Sequence, residues 1–174
     1  TKLLGTTDSD RAFGVSTASD GSIYVHGDTG GNLDGQTNAG DDVFLTKYSS
    51  DGTKVWTKLL GTSISTAAAR VSTASDGSIY ITGYTKDSFD GQTSSGGWDA
   101  YLVKYSSDGT KVWTKLLGTS GTETGNGVAT ASDGSIFITG YTTGDLDGQT
   151  NIGGSNLYVT KYSSDGTKVW TKLL

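Results

Sequence analysis

The sequence predicts an all-β fold built from three copies of one four-stranded antiparallel module. Three observations support this prediction: a phrase that returns at a fixed spacing, Asp-Gly pairs at regular intervals, and short β-forming runs with apolar residues on both faces. The phrase YSSDGTKVWTKLLGT occupies 48–62 and 105–119 and begins again at 162. The TKLL within it also opens the chain, so its offsets are 56, 57 and 57 residues. A period of this size indicates a repeat architecture.

Each repeat contains four runs rich in Val, Ile, Tyr, Phe, Trp and Thr. In the first repeat they are AFGVSTASDG, SIYVHGDT, DVFLTKYSSDG and TKVWTKLLGT, and the loop GGNLDGQTNAGD separates the second run from the third. Asp-Gly between β-forming runs favours a hairpin, because glycine accepts the positive φ that such turns need. These pairs lie at Asp20-Gly21 and Asp51-Gly52 and recur at 76–77, 108–109, 133–134 and 165–166.

Both faces of each small sheet carry apolar residues, since Ile23 and Val25 point one way and Tyr24 points the other. A two-sided sheet that repeats in tandem stacks face to face around an axis, which predicts a β-propeller with three four-stranded blades per chain. The predicted blade repeats span 1–56, 57–113 and 114–174. An outer-strand segment, 1–5, precedes the first repeat, and the third repeat ends in an outer strand of its own.

Three blades are too few to close a ring, because propellers use roughly four to eight. An open arc would leave two apolar sheet faces in water. We therefore expect a homodimer that closes a six-bladed ring head to tail. The alternative is that these blades belong to a longer propeller chain.

Composition excludes several classes of function. The chain has no Cys, one His and a formal net charge of −5. A thiolate metal site and a cysteine nucleophile are therefore excluded, and the lysines are too scattered for nucleic-acid binding. No apolar run approaches the ~18 residues of a membrane span, so we expect no membrane partner. The single His26 aligns with threonines in the other repeats, which argues against a Ser-His-Asp site. We expect no catalytic residues, no enzymatic activity and no required cofactor.

The repeated loop between the second and third runs supplies the candidate binding residues. Its aspartates, glutamines and one asparagine offer oxygen atoms on a flexible backbone, a set that could hold Ca²⁺ or a glycan. The competing interpretation is that Asp and Asn side chains cap turns by accepting backbone N–H groups. The candidates are Asp34, Gln36 and Asp42 in the first repeat, Asp90, Gln92 and Asp99 in the second, and Asp147, Gln149 and Asn156 in the third.

The tryptophans fall into two groups. Trp56, Trp113 and Trp170 share one repeat position, and we interpret them as packing between blades. Trp98 lies in the loop of the second repeat alone, where it could stack on a sugar or a partner or could cover the edge of its blade.

The segments GGWDAYLVKYSSDGTKVWTKLLGT and NGVATASDGSIFITGYT resemble the bacterial SBBP repeat, a β-propeller repeat family. The resemblance implies a propeller fold, a secreted or cell-surface location in a bacterium, and no assigned catalytic residues. The expected function is a non-catalytic scaffold or interaction module, multivalent through its repeated loops, with a protein or glycan ligand. The alternative is a lectin-like propeller that binds carbohydrate or calcium.

Overall fold

The computed structural model describes residues 4–62 and 65–174, which fold into three four-stranded sheets. Within each sheet, strands that are neighbours in sequence pair antiparallel. The all-β fold and its three antiparallel blades are thereby confirmed. The first sheet contains β1 (Asp10–Thr17), β2 (Ile23–Thr29), β3 (Asp42–Tyr48) and β4 (Lys54–Leu60). The second contains β5 (Thr66–Thr73), β6 (Ile79–Thr85), β7 (Asp99–Tyr105) and β8 (Lys111–Leu117). The third contains β9 (Glu123–Thr130), β10 (Ile136–Thr142), β11 (Asn156–Tyr162) and β12 (Lys168–Leu173).

The Asp-Gly pairs form the tight turns of each sheet, as predicted. Their glycines have φ between 80° and 84°. Only the glycine of each pair has a positive φ. The commonest two-residue hairpin turn needs a positive φ at both of its residues, so these connections are longer, four-residue turns. In the first turn the Gly21 N–H donates to the Ala18 carbonyl, and Asp20 accepts a hydrogen bond from the Ser22 N–H at 2.8 Å. Aspartate therefore precedes glycine because its side chain closes the turn.

The three sheets pack face to face in chain order. The first strand of each sheet lies innermost, because β5 packs against β1, β2 and β3, and β9 packs against β5, β6 and β7. One apolar core lies between the first and second sheets and a second lies between the second and third. The predicted alternation holds: Tyr24 lies in the first of these cores, whereas Ile23 and Val25 face away from it.

The outer faces of the first and third sheets are left open. Val15 on β1 is 67% exposed, whereas Val71, at the same position of β5, is 7% exposed. Leu157 on β11 is 61% exposed, whereas the equivalent residues in the first two sheets are fully buried. The described structure is therefore an arc of three blades with two uncovered apolar ends.

The ends of the repeats lie in the outer strands. The TKLL segments that begin at 57, 114 and 171 lie in the fourth strands, so the predicted boundaries at 56/57 and 113/114 fall inside β4 and β8. The predicted outer-strand segment 1–5 falls partly on residues 1–3, which lie outside the described residues. Leu4 and Gly5 belong to no strand, and Leu4 borders the open face of the first sheet beside Val25 and Phe44.

Candidate functional site

The candidate binding residues lie in loops 30–41, 86–98 and 143–155, which join the second and third strands of each sheet. The loops therefore emerge at the same edge of their blades. A buried apolar residue anchors each loop, and it forms an isolated bridge with the glutamine three positions later. These anchors are Leu33, Phe89 and Leu146. The aspartate that follows each anchor has φ of 51–52°, a left-handed conformation that aspartate tolerates better than most residues.

The first aspartate of each loop is bound to the outer strand of its own blade. Asp34 accepts hydrogen bonds from the Lys54 ammonium and the Thr57 hydroxyl. Asp90 and Asp147 make the same two contacts in their own blades. Burial works against ionisation of Asp34, but the hydrogen bonds from Lys54 and Thr57 outweigh it and hold the pKa of the carboxyl below its ordinary value. The carboxylate thus holds the loop against β4.

The glutamine two positions later extends the same clamp. Gln36 donates from Nε2 to the Thr57 carbonyl at 2.6 Å and accepts the Leu59 N–H at 3.1 Å. Gln149 makes the equivalent contacts with Thr171 and Leu173 at 2.7 and 3.1 Å. The side chain therefore satisfies backbone groups on the free edge of the outer strand, as another strand would. Gln92 pairs through its backbone with Phe89.

The third candidate position opens the third strand of each blade and closes the loop. Asp99 accepts the Ser95 N–H at 2.7 Å, and Asp42 accepts the Ala39 N–H at 3.2 Å. Burial raises the pKa of both carboxyls above the ordinary value, and the second oxygen of each lies buried without a hydrogen-bond partner. Asn156 occupies this position in the third blade, and its Nδ2 donates to the Leu174 carbonyl at 3.4 Å. The position therefore favours a side chain that can donate as well as accept.

Trp98 packs on its own blade. Its ring meets Tyr84 edge to face, with centroids 5.2 Å apart and planes at 83°. The Trp98 carbonyl accepts the Glu123 N–H of the next blade at 2.6 Å. The side chain is half-buried, so one edge remains open to solvent.

In the first blade, charged residues replace this aromatic pair. Asp28 and Asp41 hold the positions of Tyr84 and Trp98. Asp28 pairs with Arg11 at 3.1 Å, and both line a small cleft between the first two blades. Neither Asp28 nor Asp41 is among the residues predicted from the sequence, although both have aromatic counterparts in the second repeat that distinguish these positions.

His26 is buried between the first and second blades. Its Nδ1 donates to the Phe44 carbonyl at 2.7 Å, and its Nε2 lies 3.4 Å from the Tyr101 hydroxyl. Thr82 and Thr139 occupy the same position and donate to the equivalent carbonyls. Burial lowers the pKa of His26 from 6.5 to about 4. The residue is therefore a neutral part of the core at physiological pH.

The arrangement favours structural roles over metal binding. Among residues 4–62 and 65–174, no three His, Asp or Glu side chains converge as a metal site would require. The loop carboxylates form contacts within their blades, so calcium binding there stays a hypothesis. No helix in the described part of the chain is long and apolar enough to span a membrane.

The features that do repeat from blade to blade lie on the sheet faces and in the loop clamps. A tandem array of four-stranded antiparallel sheets, stacked face to face with the first strand of each sheet innermost, defines the class of propeller-type repeat proteins. The model of the SBBP family, described as a beta-propeller repeat, matches residues 112–147. This match confirms the resemblance to the SBBP repeat.

Two further proteins are similar to this chain. The regulatory protein FlaEY of Caulobacter vibrioides is 31% identical over 120 residues, which cover 62% of this chain and 13% of that protein. The chain therefore spans a small part of this relative. A protein of unknown function from Bacteroides caccae has a solved structure with a TM-score of 0.52 at 9% identity, covering 94% of this chain and 46% of that one. This likeness shows the fold alone.

Proposed function

We propose that the chain is a non-catalytic scaffold and interaction module, multivalent through its repeated loops, whose three blades close a six-bladed ring with a second copy. The observation that carries the proposal is a difference in exposure. Apolar residues are buried at the two inner junctions, which are the interfaces between consecutive blades, but are exposed on the outer faces of the first and third blades. Val71 and Val43 are buried at the interface of the first two blades, whereas their counterparts at the ends, Val15 and Leu157, are exposed.

Burial of the two exposed apolar faces favours closure of the ring. Burial of apolar surface contributes about 25 cal/mol per Å², so a face of a few hundred Å² is worth roughly 5–10 kcal/mol. The largest exposed apolar patch of a soluble protein is often a site of interaction. A second copy would supply the missing neighbour at both ends, and six is the only multiple of three within the usual range of about four to eight blades.

The loop clamps support the scaffold part of the proposal. The three loop aspartates, and the side chains of Gln36 and Gln149, form hydrogen bonds to the outer strands of their own blades. The DGQT segment common to the three loops, held by a buried anchor, would present a similar surface in each blade. Similar, weakly binding surfaces on one ring would select a partner by avidity.

The mass in solution tests the ring. Light scattering should report twice the chain mass of 18.0 kDa over a range of concentrations. A stable species of one chain mass would overturn closure by a second copy. A glycan array probed with and without calcium tests the lectin-like alternative, and binding that depends on added calcium would favour it over the scaffold.

A further inference from the structure

The two inner junctions share one set of contacts at the outer strands. A Cβ built on Gly109, in the turn of the second blade, would lie 3.0 Å from the Trp56 ring of the first blade. A Cβ on Gly166 would lie 3.0 Å from Trp113. Each turn glycine is therefore seated on the tryptophan of the preceding blade, a contact with no room for a side chain.

A lysine beside the tryptophan makes the second shared contact. Lys47 donates from Nζ to the Ser107 carbonyl at 3.1 Å, and Lys104 donates to the Ser164 carbonyl at the same distance. In both cases the acceptor lies two residues before the turn glycine of the next blade. The ammonium thus satisfies a turn carbonyl across the junction.

The inner strands supply a third contact, made by hydroxyl groups. The hydroxyls of Ser16 and Thr73 lie 3.0 Å apart across the first junction, and those of Ser72 and Thr130 lie 3.3 Å apart across the second. Thr73 also donates to the Thr17 carbonyl at 2.7 Å, and Thr130 donates to the Thr73 carbonyl at 2.9 Å. The two junctions are therefore one junction used twice.

The two ends of the arc carry the two halves of this same junction. Trp170 on the third blade is 38% exposed, and Lys161 pairs at 3.9 Å with Asp133 of its own blade instead of reaching across. On the first blade, a Cβ on Gly52 would meet nothing within 4 Å. Ala129 and Thr17, which hold the positions of the paired hydroxyl residues, are both exposed.

We propose that the third blade of each copy docks on the first blade of the other through a repeat of the inner junction. The inference rests on the proposed ring and fixes how it closes. Trp170 lies under the partner's Gly52 turn, Lys161 donates to the partner's Ser50 carbonyl, and Ala129 meets the partner's Thr17. The contact is head to tail, so a dimer contains two identical junctions.

Pairing of like ends is the competing arrangement, and the surfaces argue against it. Two third blades face to face would bring together two lysines at position 161, with no turn carbonyl to accept from either. Two first blades would bring together two Gly52 turns with no tryptophan for either to cover. Only unlike ends bring every donor to an acceptor.

Cysteine cross-linking distinguishes the two arrangements, because the unsubstituted chain has no Cys. The variants Thr17→Cys and Ala129→Cys are purified separately, then unfolded together, refolded and oxidised. Head-to-tail docking predicts a disulfide-linked dimer in the mixture and none in either variant alone. The double variant Ser16→Cys/Thr73→Cys places the same pair at the first inner junction, and its intrachain disulfide calibrates the geometry.

Each outcome bears on a different part of the reasoning. A cross-link formed by Ala129→Cys alone or by Thr17→Cys alone overturns head-to-tail docking in favour of like ends. The mixture could refold to dimers of twice the chain mass that do not cross-link, while the Ser16→Cys/Thr73→Cys control does. That result overturns the proposed docking contacts but does not contradict the proposed ring. A single-chain mass for the unsubstituted protein removes the ring itself.

Discussion

Replacement of His26 by threonine should remove a large part of the acid sensitivity of the fold. The pKa of His26 is lowered from 6.5 to about 4 by burial, so the unfolded chain binds a proton that the folded chain does not between these values. A group with a depressed folded pKa of this kind costs stability as pH falls. Linkage over this interval gives a loss of about 3 kcal/mol between pH 7 and pH 4 from His26 alone.

The assay is urea unfolding followed by tryptophan fluorescence at a series of pH values between 7 and 4. His26→Thr introduces the residue that the other blades carry, whose hydroxyl donates to the equivalent carbonyl. The unsubstituted chain should lose about 3 kcal/mol more than the variant over this interval. The two proteins are compared by the change in their free energy of unfolding with pH. Any loss of packing caused by the substitution is the same at every pH, so it does not affect this comparison. Parallel curves for the two proteins would refute the reasoning, because His26 would then titrate alike in both states.

Three other predictions concern the buried loop carboxyl Asp99, the loop clamp at Asp147 and the exposed Trp170. Asp99→Asn should raise the free energy of unfolding at pH 7 by about 1 kcal/mol, because an amide group replaces a buried carboxylate oxygen that has no hydrogen-bond partner. Burial raises the pKa of Asp99, so this gain in stability should shrink as pH falls through that pKa. Asn156→Asp should lower the free energy of unfolding at pH 7. Asp147→Asn should cost about 1 kcal/mol or less in thermal unfolding, because its partner Lys168 is partly exposed and solvent screens the pair; an unchanged melting temperature would mean that the clamp is dispensable. Trp170→Ala should weaken the dimer at least about thirtyfold in sedimentation, as expected for a buried interface tryptophan, and an unchanged dissociation constant would place Trp170 outside the interface.

The fold could be predicted from the sequence because the repeat period, the turn residues and the alternation of apolar residues all indicate the same architecture. The 57-residue offset between the second and third TKLL segments gave the number of blades, and Asp20-Gly21 gave a turn whose glycine has the expected positive φ. The alternation of Ile23, Tyr24 and Val25 predicted the two-sided sheet that the structure contains. Local turn chemistry and a strict period of two are short-range signals, so a single sequence carries them.

The roles of the loop residues could not be predicted in the same way. Asp34 and Gln36 were predicted to bind a ligand because their structural partners cannot be recognised in the loop sequence. Those partners, Lys54, Thr57 and Leu59, lie some 20 residues away on the outer strand. Sequence alone does not place that strand beneath the loop. Whether the loops also bind a ligand stays a prediction.

The difference among Trp56, Trp113 and Trp170 was also invisible in the sequence. The three residues share one position and one sequence context, and only the stacking of the blades leaves the last of them uncovered. Exposure at this position depends on whether another blade packs against the tryptophan in space. The most informative surface of the chain therefore carries no sequence signal of its own.

The nature of the uncovered ends argues that they are junctions. Open repeat arrays need terminal repeats with a polar outer face to remain soluble. In the described part of this chain the end blades carry Val15 and Val25 on one side and Leu157 and Val159 on the other, which are core residues by type. Leu157 is larger than Val43 and Ala100 at the same position, whereas a solvent-facing role would favour a polar side chain there. These faces therefore do not fit the role of a cap, and the inner junctions display the contacts that a neighbouring blade, which we propose comes from a second copy, would make with them.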